Sequence, residues 1–162
     1  MRRRFAIMFG IGIAAIVAIV GIILYVQRGA HVELTGQILK VRTAALDDRS
    51  SVAVLDFRFS NPADVNFVVR TVTVVLEQPD GNQLQGATVS ELDAQRLFEG
   101  LPLLGQKFNR TLMMQEKITA HSSQDRMVAA RFEVPVSALE ARKRLLLRIE
   151  DVDGPITELS EK

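Results

Sequence analysis

The stretch Ser-Val-Ala-Val-Leu-Asp-Phe-Arg-Phe-Ser, residues Ser51–Ser60, decides the fold of this chain. Apolar and polar side chains alternate along it, a period of two that is typical of a half-buried β-strand. The face predicted to be buried consists of Ala53, Leu55, Phe57 and Phe59. The opposite face carries Asp56, Arg58 and Ser60 and is predicted to be exposed to solvent. The chain is therefore expected to build its core from sheets.

Six further segments have β-rich composition or the same alternation. They are residues 31–46, 65–78, 83–89, 110–119, 125–134 and 144–152. Pro79-Asp80-Gly81-Asn82 predicts a hairpin turn. Arg70 interrupts an apolar face, where a bulge or an edge position is expected. Seven short strands without strand–helix alternation predict an immunoglobulin-like antiparallel β-sandwich, mainly β in class.

One or two short helices are expected among these strands. Ser90 before Glu91 and Asp93 predicts a helix N-terminus, and Gly100 predicts its end. Ser137 and Glu140 have the spacing of a capping box, which predicts one further helical turn. The predicted β domain covers residues 31–154, and residues 155–162 are predicted to be a polar C-terminal tail.

A family resemblance lies in the strand and the segment that follows it. The run Val54–Asn61 with Pro62, followed by Val68–Val74, resembles the late embryogenesis abundant type 2 (water-stress) domain, in which an apolar strand, an Asn-Pro turn and a second strand succeed one another. The resemblance implies a sandwich of about seven strands, often placed behind a single transmembrane helix. The family has no agreed catalytic activity, so the resemblance implies fold more than role.

The N-terminal segment Phe5–Val26 contains no charged residue. At about 1.5 Å of rise per residue, a helix of this length crosses the roughly 30 Å apolar core of a bilayer. The alternative is a cleaved secretory signal, but such signals have shorter apolar regions and a small-x-small cleavage site, which Gln27–His31 matches poorly. Residues 1–30 are therefore predicted to be a basic tip and an uncleaved signal anchor in the lipid bilayer.

Charge predicts the orientation of this single-pass anchor and excludes one class of partner. Arg2, Arg3 and Arg4 outnumber Arg28 on the other flank, so the N-terminus is predicted to be cytoplasmic and the domain exported, to the periplasmic or extracellular side. After Ala30 the chain carries 16 basic and 19 acidic side chains, a net charge of −3. This balance argues against nucleic acid as a partner.

No motif in the sequence indicates catalysis, a metal or a cofactor. The chain has no cysteine, and His31 and His121 lie far apart without ligand spacing. Asp151-Val152-Asp153-Gly154 lacks the later residues of a calcium loop and is predicted to be a turn. The cluster Arg142–Arg144 with Arg148 is interpreted as a solvated helix C-terminus, although anionic lipid or an acidic partner is an alternative. The protein is therefore predicted to have no catalytic residue, no metal site and no cofactor, and not to be an enzyme.

Two features are candidates for binding. One is a set of large apolar side chains in a connection between strands, namely Leu97, Phe98, Leu101, Leu103 and Leu104. They form either a lid over one end of the core or a contact for a partner protein or apolar ligand. The other is a stripe of small residues on the anchor, Gly10, Ala14, Ala18 and Gly21, which suits helix packing in lipid.

The sequence as a whole predicts a membrane-anchored, non-catalytic envelope protein whose sandwich binds or braces a partner at the membrane surface. The alternative is an accessory subunit of a larger membrane complex, in which the helix itself contacts a membrane-protein partner or a second copy.

Overall fold

The computed structural model describes residues 12–22 and 33–161 of the chain. Two compact units are present, Met1–His31 and Val32–Lys162. In the first unit, residues 12–22 form a helix, α1, whose side chains are exposed. Within residues 12–22 and 33–161, no helix combines the length and the apolar character needed to cross a membrane. Residues 5–11 and 23–26 of the predicted anchor lie outside the described residues.

The second unit, here called the β domain, contains eight strands. They are β1 (Thr35–Ala45), β2 (Ser51–Ser60), β3 (Phe67–Glu77), β4 (Gln83–Thr88), β5 (Lys117–Ile118), β6 (Ser123–Phe132), β7 (Arg144–Asp151) and β8 (Ile156–Ser160). The helices are α2 (Glu91–Gly100), a 3-10 turn (Pro102–Leu104) and α3 (Val136–Glu140). The prediction of a mainly β fold with few helices is confirmed.

All strand pairs in this sheet are antiparallel. The strand order is β1-β2-β6-β4-β3-β7-β8, and β5 pairs with the start of β3. The two outer strands, β1 and β8, lie against each other, and the amide of Leu34 donates to Thr157 Oγ1 across 2.9 Å. The sheet is therefore nearly closed on itself, and its inner face surrounds the main core.

The side-chain alternation of β2 builds this core. Phe57 and Phe59 are fully buried and stack on each other with ring centroids 5.7 Å apart. The faces predicted to be buried on β6 and β7 also contribute; the core cluster includes Val128, Ala130, Phe132, Leu145, Leu147 and Ile149. Burial of apolar side chains from several strands around one interior supplies the main driving force for folding.

A bulge changes the face of β3 partway along the strand. The β3–β7 register shifts between Val69 and Thr71, so of the two alternatives expected at Arg70 the bulge is the correct one. Before the bulge Val69 points into the core, and after it Val72 does, although the two residues differ in parity. Because one extra residue flips the pleat, Val68, which has the same parity as Val72, is only half-buried.

Three local predictions are wrong. Most of residues 110–119 is irregular, and the paired part is Lys117–Ile118. The predicted tail at 155–162 instead contains β8, which pairs with β7 and buries Leu159. Helix α3 begins after Pro135 without a side-chain cap, so Ser137 lies inside the helix and is not its N-cap. The Pro79–Asn82 turn and the Ser90 N-cap are as predicted, with Gly81 at φ 89°.

Candidate functional site

The connection from β4 to β5, residues 89–116, covers part of the outer face of the sheet and is here called the lid. It contains α2 and the 3-10 turn, followed by an irregular segment. Beneath it lies a second apolar cluster, separate from the main core, made of Ala44, Val52, Val54, Ala94, Leu104, Met127 and Ala129. The lid therefore gives β2 and β6 a second buried face.

Backbone hydrogen bonds attach both ends of the lid to the sheet. At its start the amide of Val89 donates to the carbonyl of Ala129 across 3.0 Å. Near its end the amide of Leu112 donates to the carbonyl of Met127 across 2.9 Å, and the amide of Gln115 donates to the carbonyl of Val69 across 2.7 Å. The lid thus bridges β6 and β3 where β4 no longer lies between them.

A buried ion pair holds the middle of the lid. Arg42 on β1 donates to Asp56 on β2 across 2.6 Å, and both side chains are about 7% exposed. The same guanidinium donates to the carbonyls of Leu104 and Gln106 at 2.6 and 2.8 Å. The ring of Phe98 lies over it, with its centroid 4.8 Å from Arg42 Cζ, an arrangement that favours cation–π attraction.

Asp56, the partner of Arg42, also binds the lid. Its other carboxylate oxygen accepts from the side-chain amide of Asn109 across 2.9 Å. Asp56 was predicted to face solvent, and that prediction is wrong because the lid covers this part of β2. The charges are tolerated in the interior because each is paired and hydrogen-bonded.

A second ion pair joins the start of the lid to its later part. Glu91, in the first turn of α2, accepts from Lys107 across 2.5 Å and from the amide of Thr111 across 2.7 Å. Burial raises the pKa of Glu91, but the hydrogen bonds from Lys107 and from the amide of Thr111 outweigh it and lower that pKa from 4.5 to about 2. The carboxylate is therefore ionised at neutral pH and ties the start of the lid to its end.

This pKa gives the contact of Glu91 a defined pH dependence. Because the folded pKa lies below the unfolded value of 4.5, the stability that it contributes is complete above about pH 4.5 and is lost as the pH falls toward about 2. We expect Glu91→Gln to lower the free energy of unfolding near neutral pH. The difference in unfolding free energy between this variant and wild type should become smaller as the pH falls from the upper to the lower of these two values. Urea unfolding followed by circular dichroism at several pH values measures this gap.

Glu99→Gln is the matched control, since Glu99 is exposed on the same helix and accepts from Gln95. Its gap to wild type is expected to be small at every pH. An unchanged gap for Glu91→Gln between neutral pH and pH of about 2 would contradict the role of the carboxylate.

The five apolar residues predicted as a lid or a partner contact divide between the two roles. Leu104 is buried in the second cluster, and Leu97, Phe98 and Leu101 pack against that cluster while half-buried. Leu103, by contrast, is 88% exposed. Four of the side chains thus cover the sheet, and one points outward.

Further exposed apolar side chains of the lid were not found from the sequence. Among the described residues of the β domain, nine large apolar side chains are exposed, and five of them lie on the lid: Leu92, Leu103, Phe108, Met113 and Met114. The adjacent Met113 and Met114 belong to the segment 110–119 that the sequence predicts as a strand, so their exposure was not predicted. They border an apolar groove of about 350 Å³, where Leu112, Val72 and Val128 also contribute walls. The lid therefore exposes apolar surface from a well-anchored backbone.

The histidines and the small-residue stripe are the remaining candidates from the sequence. In the part of the β domain that the structure describes, no group of three His, Asp or Glu side chains is placed to hold a metal ion. His121 is exposed and pairs with Asp64 across 2.8 Å, and His31 lies outside the described residues. Of the small-residue stripe, Ala14, Ala18 and Gly21 lie on α1, and Gly10 lies outside the described residues.

The basic cluster near β7 is engaged in ion pairs. Arg142 contacts Glu161, Arg148 contacts Glu158, and both Lys143 and Arg144 contact Glu77. Lys143 and Arg144 lower the pKa of Glu77 through these hydrogen bonds. Since each cation already has a carboxylate partner, the cluster offers little free charge to a lipid surface or an acidic partner.

Comparison of the chain with protein-family models, with characterised proteins and with solved structures gives no match. The site must therefore be interpreted from its own geometry.

Proposed function

We propose that this protein is a membrane-anchored, non-catalytic envelope protein whose β domain binds a partner at the membrane surface through the lid. The observation that carries the proposal is the exposure of Leu103, Phe108 and Met114, at 88%, 69% and 68%, on a lid fixed from beneath by Arg42. Apolar side chains displayed on a rigid support suit a contact surface, because little conformational freedom is lost when a partner binds.

The N-terminal sequence supports the membrane part of this proposal. Phe5–Val26 is long and apolar enough to serve as a single transmembrane anchor, with the basic Arg2–Arg4 on its cytoplasmic side. The domain is then held on the exported side, periplasmic or extracellular. We propose that the β domain is an immunoglobulin-like sandwich similar to the late embryogenesis abundant type 2 domain, supported by the Asn-Pro sequence after β2.

A second candidate is an accessory subunit that contacts its complex through the helix. It is favoured by Ala14, Ala18 and Gly21 on α1, which share one side of the helix with Gly10 in the sequence pattern. Small side chains on one side allow close approach of another helix in lipid.

One experiment separates the two candidates. The full chain is solubilised from its native membrane in mild detergent and sized by native electrophoresis, where we expect an assembly larger than the single chain. Leu103→Asp with Phe108→Ser should dissociate it, since a charge in an apolar contact is costly to bury. Val65→Asp is the control, because Val65 is 52% exposed and belongs to the β2–β3 connection, not to the lid.

Variants of the helix test the second candidate. If Ala14→Leu with Ala18→Leu dissociates the assembly while the lid variants leave it intact, the accessory-subunit candidate is correct and the lid proposal is wrong. Ile16→Leu with Ile19→Leu serves as the matched control for the helix, since bulk is already present there.

A further inference from the structure

A second groove runs between α2 and the outer face of the sheet. It has a volume of about 430 Å³, and its apolar walls come from Leu46, Val52, Val89, Leu97 and Leu101. Four of these side chains are half-buried and pack against the second apolar cluster, while Val52 is fully buried. The walls are therefore held in place and still leave apolar surface open to a ligand. We call this feature the α2 groove.

The rim of the α2 groove is cationic. Arg131 on β6 lies directly opposite Val52 in the β2–β6 register, so its side chain leaves the sheet on the groove side. Among the described residues Arg131 forms no ion pair, and its side chain is exposed. Arg96 on α2 also borders the groove and makes only a long, exposed contact of 3.5 Å with Asp93.

Two carboxylates near this rim accept hydrogen bonds, and Asp48 and Glu133 border a neighbouring pocket with Arg131. Asp93 accepts from the Ser90 hydroxyl across 2.7 Å as part of the helix cap. Asp47, in the neighbouring β1–β2 turn, accepts from the hydroxyl of Ser50 and from the amides of Arg49 and Ser50. These hydrogen bonds, together with the nearby charge of Arg131, lower the pKa of Asp47. Arg131 is attracted by Asp47, yet among the described residues its guanidinium has no ion-pair or hydrogen-bond partner. Its donors therefore remain free to bind an anion beside the apolar groove.

The backbone around the groove argues against an extended peptide as the occupant. Ala87 and Thr88 of β4 pair with Arg131 and Ala130 of β6, and the Val89 amide donates to Ala129. These groups are used within the sheet, so a peptide strand would find no free sheet edge here. An acyl chain needs no hydrogen-bond partner along its length and suits such walls.

We propose that the α2 groove binds a free fatty acid, with its chain along Leu97 and Leu101 and its carboxylate paired with Arg131. The guanidinium suits a carboxylate because it donates two parallel hydrogen bonds to it. This inference rests on the proposed role of the lid as a binding element, since Leu97 and Leu101 belong to it. It adds an amphiphilic ligand to the partner contact made by Leu103 on the outer side.

The test uses the full chain in nanodiscs of zwitterionic phosphatidylcholine and a dodecanoic acid carrying a photoreactive diazirine on its chain. After irradiation, mass spectrometry locates the labelled peptides. We expect labelling of the peptides that contain Leu46–Val52 and Leu97–Leu101. Arg131→Gln should reduce it roughly tenfold, as expected for the loss of a charge-assisted hydrogen-bond pair.

Control variants and a control probe distinguish the effect of charge from the effect of free space in the groove. Arg49→Gln removes a neighbouring exposed cation that does not border the groove and should leave labelling unchanged. Gly100→Phe should also abolish labelling, since a Cβ at Gly100 meets no atom within 4 Å and the ring can occupy the groove without a clash at that point. The corresponding photoreactive dodecanol, which lacks the carboxylate, should label roughly tenfold less than the acid.

Labelling outside the groove, equal labelling by the acid and the alcohol, or labelling that Arg131→Gln does not change would overturn the fatty-acid proposal. Native electrophoresis of the same variants tests the lid contact separately. Arg131→Gln is expected to leave the assembly intact, and Leu103→Asp to disrupt the assembly while groove labelling persists. Failure of one proposal is therefore distinguishable from failure of the other.

Discussion

Phe57→Ala is expected to lower the free energy of unfolding of the β domain by about 3–5 kcal/mol. Phe57 is fully buried and stacks against Phe59 in the main core. Truncation removes the transfer free energy of the ring and leaves a cavity that the paired strands around it cannot close, because their backbones are fixed by hydrogen bonds on both sides. A loss of this size is a large part of the roughly 5–15 kcal/mol that stabilises a typical domain.

Urea unfolding of the full chain in a neutral detergent, followed by the β signal in circular dichroism, measures this loss. Arg58→Ala on the next residue is the matched control. Its guanidinium binds Asp125 with bonds of 2.6 and 2.8 Å, yet the side chain is 58% exposed. We expect that variant to lower the free energy of unfolding far less than Phe57→Ala does. Equal effects of the two substitutions would contradict the assignment of the β2 faces.

Asp56→Ala is expected to cost about 3–5 kcal/mol, because it leaves the buried Arg42 without its counter-charge. Asn109 loses its acceptor in the same variant. Since Arg42 also binds Leu104 and Gln106, we expect the loss to loosen the lid before the sheet. Hydrogen exchange should therefore increase first in residues 101–109, and equilibrium unfolding reports the total.

A double-mutant cycle isolates the contribution of the pair. Arg42→Met with Asp56→Leu removes both charges and replaces them with apolar side chains of similar bulk, so it should cost clearly less than the sum of the single variants. Asp125→Ala, which breaks the exposed pair with Arg58, is the control and should cost under about 1 kcal/mol. Strict additivity of Arg42→Met and Asp56→Leu would show that the two charges do not depend on each other.

Much of the sheet was predictable because its signals are local. The alternation in Ser51–Ser60 matches the bounds of β2, and its apolar parity points to the main core. Pro79–Asn82 makes its turn through Gly81, whose positive φ is accessible to glycine at little cost. The cap at Ser90 forms within four residues, with the Asp93 amide donating to the serine hydroxyl. Contacts over such short distances depend little on the rest of the chain.

Where the sequence prediction failed, a distant partner decided the outcome. Residues 110–119 have strand composition, but Thr111 meets Met127 in a parallel bridge and the chain then turns away toward β3. Ile156–Ser160 looked like a polar tail, yet it pairs with β7 and buries Leu159. A short segment becomes a strand when an unpaired neighbour offers it hydrogen bonds, and that neighbour is not visible in its own residues.

The candidate site, like the sheet, was predictable from the sequence only where its signals are local. The sequence identified an excess of large apolar side chains at 97–104, but it did not separate the covering Leu104 from the exposed Leu103. Arg131 and Val52 are far apart in the chain and become opposite residues through the β2–β6 register. The α2 groove exists only because a helix is laid over that pair.

By itself, the sequence determined that this chain has an apolar N-terminal segment and a mainly β domain, and which face of β2 enters the core. Side-chain period and turn chemistry suffice for that, because each acts within a few residues. Only the tertiary structure decided that the opposite face of β2 is also covered from Val52 to Asp56, while Arg58 stays exposed. Asp56 carries the signature of a solvent-facing residue, and it is buried because Arg42 lies diagonally across the β1–β2 register and the lid closes over both. A charge can be buried when its partner is brought to it, and that partner comes from pairing between strands.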